Sequence, residues 1–242
     1  MRERSFAPAR ALQPSLAYWV AMYAASALGT NLGDYYPRAL GWEIEAAFAA
    51  FVALTLALIA LDRVVGRRTE LLFWIALVVL RAVATNLGDA LTHLGVSRVV
   101  SSPVLGVLTL TAGYLTLGET SPRVDARYWA AMGLGGVFGT VAGDWVSHVF
   151  GLPAAAAGLA GLLVVAVAAR SRNPGAGVLS YWALVLVERA AGTPAGDLLA
   201  EGRGLGLGLP VAMAIAGTVF VLAVAWRSAR PGAAAALTAP AR

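Results

Sequence analysis

Apolar runs of about 20 residues recur along this chain, and short stretches bearing Gly, Pro or Arg separate them. The pattern predicts helices over 17–36, 44–61, 71–93, 99–118, 127–149, 153–170, 178–200 and 207–226. Strand-like alternation is absent, which argues against a β-barrel. The eight runs fall into two kinds. The even ones hold almost no ionisable residue, Glu45 being the main exception. They are expected to face lipid on most sides. The odd ones carry polar residues at helical spacing and are expected to line the interior.

One motif repeats in every odd run. It starts with an aromatic–Trp pair: Tyr18-Trp19, Phe73-Trp74, Tyr128-Trp129 and Tyr181-Trp182. Eleven residues after each Trp stands a Thr (Thr30, Thr85, Thr140, Thr193). Three further on is a Gly, followed at once by Asp34, Asp89, Asp144 or Asp197. The Trp positions step by 55, 55 and 53 residues. Repeats at such a period set architecture before any local signal does.

The reading is an all-α integral membrane protein. Eight transmembrane helices come from four parallel two-helix repeats with internal pseudo-symmetry. The repeats span approximately 17–65, 71–120, 127–171 and 178–226. They form one transmembrane domain over 16–226, between tails over 1–15 and 227–242. Composition agrees: 59% of residues are apolar and 13% charged. Mean hydropathy is +0.74. There is no Cys, so disulfides and thiolate metal sites are excluded.

All 18 basic residues are Arg, and they cluster in loops. Thirteen fall on the side of the termini and three, Arg38, Arg98 and Arg203, on the other. That balance puts both termini in the cytoplasm of a bacterial inner membrane, and argues against a nucleic-acid partner despite the net charge of +5. The partners expected are the lipid bilayer and a small ion or solute, with oligomerisation left open.

Each Trp begins its helix at the cytoplasmic side. Interfacial anchoring is its expected role, and packing against a neighbouring helix the alternative. Each Asp lies roughly 22 Å further along. Thr and Asp are four apart and share one helix face. One step outward on that face are Arg38, His93, His148 and Glu201; one step inward are Ser26, Arg81, Gly136 and Arg189, with Glu188 beside its Arg. A second stripe holds small residues: Gly29 and Gly33, Ala84 and Gly88, Gly139 and Gly143, Gly192 and Gly196. Such pairs let helix backbones approach closely.

Five carboxylates (the four Asp and Glu188) stand in the helix interiors against two cations, Arg81 and Arg189. A carboxylate excess in a membrane core attracts cations or carries protons. The candidate ion or substrate site is therefore Asp34, Asp89, Asp144, Asp197, Thr30, Thr85, Thr140, Thr193, Arg81, Arg189 and Glu188. Asp89 with His93, and Asp144 with His148, are candidate metal ligands, and any cofactor there would be a divalent cation. An anion held by Arg81 and Arg189 is a further version. The expected function is a transporter or channel for a small ion or solute, cation- or proton-linked. The alternative is a non-transporting scaffold or sensor whose Asp and Thr only pack helices. An enzyme is not expected: no nucleophile elbow or zinc-protease motif occurs, and the Gly202 to Gly208 stretch lacks the Lys and Ser/Thr of a phosphate loop.

Trp19, Trp74, Trp129 and Trp182, with the Gly-Asp end of each motif, resemble a family of bacterial integral membrane proteins. Its members are built from four tandem two-helix repeats of unknown function, each with a characteristic Trp. The resemblance covers about 18–226 and implies a fold and a location.

Overall fold

The computed structural model describes residues 14–39, 44–64, 70–116, 122, 124–173 and 175–229. Among them are eight helices and no strand: α1 (Leu16–Ala39), α2 (Ile44–Val64), α3 (Leu71–His93), α4 (Arg98–Tyr114), α5 (Ala126–Phe150), α6 (Leu152–Arg172), α7 (Val178–Ala200) and α8 (Leu209–Ser228). Their bounds lie within a few residues of the spacing-based expectation. Most of the expected tails lies outside the described residues. Arg227 is not tail but the last turn of α8, where it pairs with Glu70 at 2.8 Å and lies over the Tyr18 ring.

Local chemistry explains the punctuation. The Asp125 side chain caps α5 by accepting from the Tyr128 amide at 3.0 Å. Pro153 and Pro210 stand in the first turn of α6 and α8, where a missing N–H leaves no bond unmade. Gly95 (φ 79°) and Gly151 (φ 82°) make the turns after α3 and α5 in the left-handed region that other residues avoid.

The odd helices form a closed ring: α1 packs on α3 and α7, and α5 packs on the same two. The even helices lie outside it, α2 on α3, α4 on α5, α6 on α7 and α8 on α1. Each even helix thus packs more on the odd helix of the next copy than on its own partner. The copies interlock, and α8 closes the circle on α1.

The small-residue stripe sets how close the ring can be. A Cβ built on Gly33 would lie 3.0 Å from Thr85 Cβ; on Gly88, 2.8 Å from Thr140 Cβ; on Gly143, 2.7 Å from Thr193 Cβ; on Gly196, 3.4 Å from Thr30 Cβ. Each copy's Gly therefore receives the next copy's Thr, four times around.

The Trp residues depart from the anchoring expectation. Trp19, Trp74, Trp129 and Trp182 are all buried, the last completely. Each Trp ring meets the first aromatic of the preceding copy: Trp19 on Tyr181 at 5.5 Å, Trp74 on Tyr18 at 5.5 Å, Trp129 on Phe73 at 5.6 Å and Trp182 on Tyr128 at 5.6 Å. Eight aromatic rings thus make one interlocked layer across the N-terminal end of the odd helices. Packing wins over anchoring because the aromatic at the preceding position leaves each Trp a flat apolar neighbour inside the ring.

Three helices, α3, α6 and α8, are long and apolar enough to cross a membrane by length and composition. Even helices bare apolar side chains outward: Val107, Val164 and Leu222 are 64, 68 and 63% exposed.

Candidate functional site

The ring of odd helices is filled with aromatics at one end and holds a cavity of about 510 Å³ at the other. The polar stripe explains why. Residues four apart share a helix face, and the Gly–Thr contacts turn that face of every odd helix to the same centre. Thr30, Thr85, Thr140 and Thr193 line the cavity with Asp34, Asp89, Asp144 and Asp197, and so do Arg38, His93, His148 and Glu201 from the next step outward. Exposed side chains such as Arg38 and Arg203 mark its mouth.

The Thr hydroxyls are held by backbone. Thr30 donates to the Ser26 carbonyl (3.0 Å), Thr85 to Arg81 (3.1 Å), and Thr193 to Gly139 on the next helix (2.9 Å). The oxygens of Thr85, Thr140 and Thr193 also accept from the Arg81 guanidinium. The Asp residues differ from one another. Asp34 pairs with Arg38 at 3.2 Å, and Arg38 also reaches Glu201 at 3.6 Å, joining α1 to the end of α7. Glu201 in turn holds Arg203 at 2.6 Å, which raises that guanidinium's pKa in its loop. Among the described residues Asp89, Asp144 and Asp197 make no ion pair. Three carboxylates thus face the cavity with no fixed cation of their own.

Arg81, Arg189 and Glu188 do not line the cavity. All three are buried beneath it. Arg189 lies 3.5 Å from Glu188 and donates to Met132 Sδ at 3.0 Å. Arg81 donates to hydroxyls and a carbonyl of the ring rather than to any Asp. Neither Arg forms an ion pair with an Asp, and neither lines the cavity. His93 and His148 are exposed residues at the cavity's edge. Among the described residues no group of three or more His, Cys, Asp and Glu is arranged to hold a metal ion.

Residues outside the stripe join the site: Asn86, Thr92, Ser147, Arg98 and Arg203 also line the cavity. Asn86 Nδ2 and Ser147 Oγ are buried there with no protein partner. A buried polar group without a partner is costly unless water or a ligand completes it.

Residues 180–231 match the family model described as Repeat of Unknown Function (DUF347). The match falls on α7 and α8, the fourth copy of the motif. The chain carries a repeat of an uncharacterised repeat family. No curated protein and no solved structure matches it.

Proposed function

We propose that this chain is a multi-pass membrane protein whose carboxylate cavity binds and transports a small cation or cationic solute. The observation that carries the reading is convergence: the four Asp residues of four separate repeats share one cavity. If they served only to hold helices, each would be sealed in its own helix contact with a partner. Three of them have none.

The membrane reading rests on apolar length and on outward-facing aliphatic side chains, which in water would form unusually large apolar patches. In that reading all eight helices span. The interlocking Gly–Thr and Trp–aromatic contacts, repeated four times, support a fourfold pseudo-axis along the membrane normal. With both termini cytoplasmic, the cavity faces outward and the aromatic layer lies at the cytoplasmic end. A site open on one face and sealed on the other suits a carrier that alternates between faces better than an open channel. The Thr residues act chiefly as packing groups, since each one fits a Gly of the ring.

Transport is tested with the purified chain in liposomes, by the flux of monovalent, divalent and organic cations under an imposed gradient. Asp89→Asn with Asp144→Asn should cut the flux of the accepted cation by about tenfold or more. Flux of every cation tried that is equal in parent and variant, with both folded, would remove the transport reading.

A further inference from the structure

Arg81 is almost completely buried, directly beneath the Thr residues that floor the cavity. Its Nε donates to Ser26 Oγ at 3.1 Å. Its Nη1 donates to Thr85 Oγ1 at 3.1 Å, the Gly136 carbonyl at 3.1 Å and Thr140 Oγ1 at 2.8 Å. Its Nη2 donates to Thr193 Oγ1 at 2.6 Å. These acceptors lie on α1, α3, α5 and α7, so one guanidinium touches all four inner helices. A side chain that does so sits at the centre of the ring, in the path from the cavity to the aromatic end.

All of its acceptors are neutral. The other two ionisable side chains of this layer, Arg189 and Glu188, pair with each other at 3.5 Å. The layer therefore holds two Arg against one Glu, beneath a cavity lined by carboxylates that form no ion pair with Arg81. Hydrogen bonds from neutral groups fix a charge in place but do not cancel it. In a medium of low dielectric constant such a charge repels a like charge strongly at close range. A neutral side chain could bridge the same hydroxyls without the cost of burying an ion.

We infer that Arg81 is a tethered cation that bars free cations from crossing the ring. It decides that the cavity binds cations without conducting them. This rests on the reading of the cavity as a cation site. Cations enter from the mouth and meet the Asp residues. They do not pass the Thr layer while the guanidinium stays bonded there. Passage requires a rearrangement that moves Arg81 away from the centre.

The test is passive sodium and potassium leak from liposomes holding the full chain, at a fixed membrane voltage. The parent and Arg81→Lys should be tight. Arg81→Gln should leak at least about tenfold faster. An Arg81→Gln chain that folds and is as tight as the parent overturns the inference. Because the chain has no cysteine, a second measurement covers an Arg81→Gln chain that fails to fold. Asn86→Cys reports from the cavity, and Met132→Cys from the far side of Arg81, one turn past Gly136 on α5. A cationic thiol reagent should label the first at least about tenfold faster than the second. Equal rates overturn the barrier. The cation site itself fails separately, if Asn86→Cys reacts no faster with a cationic than with an anionic reagent.

Discussion

Gly139→Leu is expected to abolish the folded bundle. A Cβ at Gly139 would lie 2.5 Å from the Arg189 carbonyl oxygen and 2.7 Å from Arg189 Cβ. The nearest atom is backbone, so no side-chain rotation relieves the clash. The α5–α7 contact must open, and with it the Gly143–Thr193 contact one turn on. On the proposed membrane reading, that loss is not offset by burying more apolar surface, because the surroundings of the unpacked helix are already apolar. Overpacking in a close contact costs about 1–3 kcal/mol and sometimes more, and here it strikes one of the four joints of the ring. The control is Gly158→Leu on the outer face of α6, where an added Cβ meets nothing within 4 Å. Size-exclusion profiles and melting temperature in detergent compare the two. A Gly139→Leu chain that melts like the parent would mean that close approach is not what holds the odd helices together.

Trp182→Ala should be the costliest truncation in the aromatic layer, at about 3–5 kcal/mol. The ring is wholly buried, meets the Tyr128 ring at a tilt with centroids 5.6 Å apart, and donates Nε1 to Thr116 Oγ1 at 3.3 Å. It lies so flat against α4 that a Cβ at Gly113 would collide with it. Removal leaves a large void in the seam between α4 and α7 and takes one accepted bond from Thr116, whose hydroxyl still donates to the Gly113 carbonyl at 2.7 Å. Trp182→Phe keeps most of the volume and should cost about 1–2 kcal/mol. Trp145 sits next to Asp144 but outside the motif and is partly exposed, so Trp145→Ala should stay within about 0.5 kcal/mol. Thermal melts rank the three. If Trp145→Ala proves as damaging as Trp182→Ala, the aromatic layer is not the core of the fold.

Most of the fold was legible because two periods, helical and repeat, agree along the chain. Apolar runs bounded the helices to within a few residues. Spacing by four brought each Thr and Asp to one face, and the small residues beside them foretold the close contacts. Two features were not legible. That the even helix leans on the next copy is a matter of loop geometry, which no local pattern carries. The choice between the two Trp roles was the other, because an aromatic at a helix start reads as an anchor when its neighbours in space are unknown. The preceding Tyr or Phe was the available signal, since it supplies the ring on which the next copy's Trp packs.

The site was partly legible for the same reason. Extending the stripe by three residues as well as four reaches Pro37, Thr92 and Ser147, all of which line the cavity. Arg98 begins α4 and Arg203 lies in a loop, and both join the cavity through chain reversals that sequence spacing does not encode. Arg81 was visible as a charge within an apolar run, but not its partners. Sequence spacing placed Arg81 one turn from Thr85, whereas the structure adds hydroxyls contributed by three other helices.

The central claim is that Asp89, Asp144 and Asp197 form an open cation site. Thermal stability of the purified chain across a panel of ions and organic cations tests it most directly. A ligand that binds only the folded state stabilises it by about 2.7 kcal/mol at a hundredfold excess over its Kd. The account predicts a saturable rise in melting temperature with at least one cation, lost in Asp89→Asn and Asp144→Asn, while both variants fold. If no cation shifts the parent and the same variants melt far lower, the Asp residues hold the bundle together and the cavity is not a cation site.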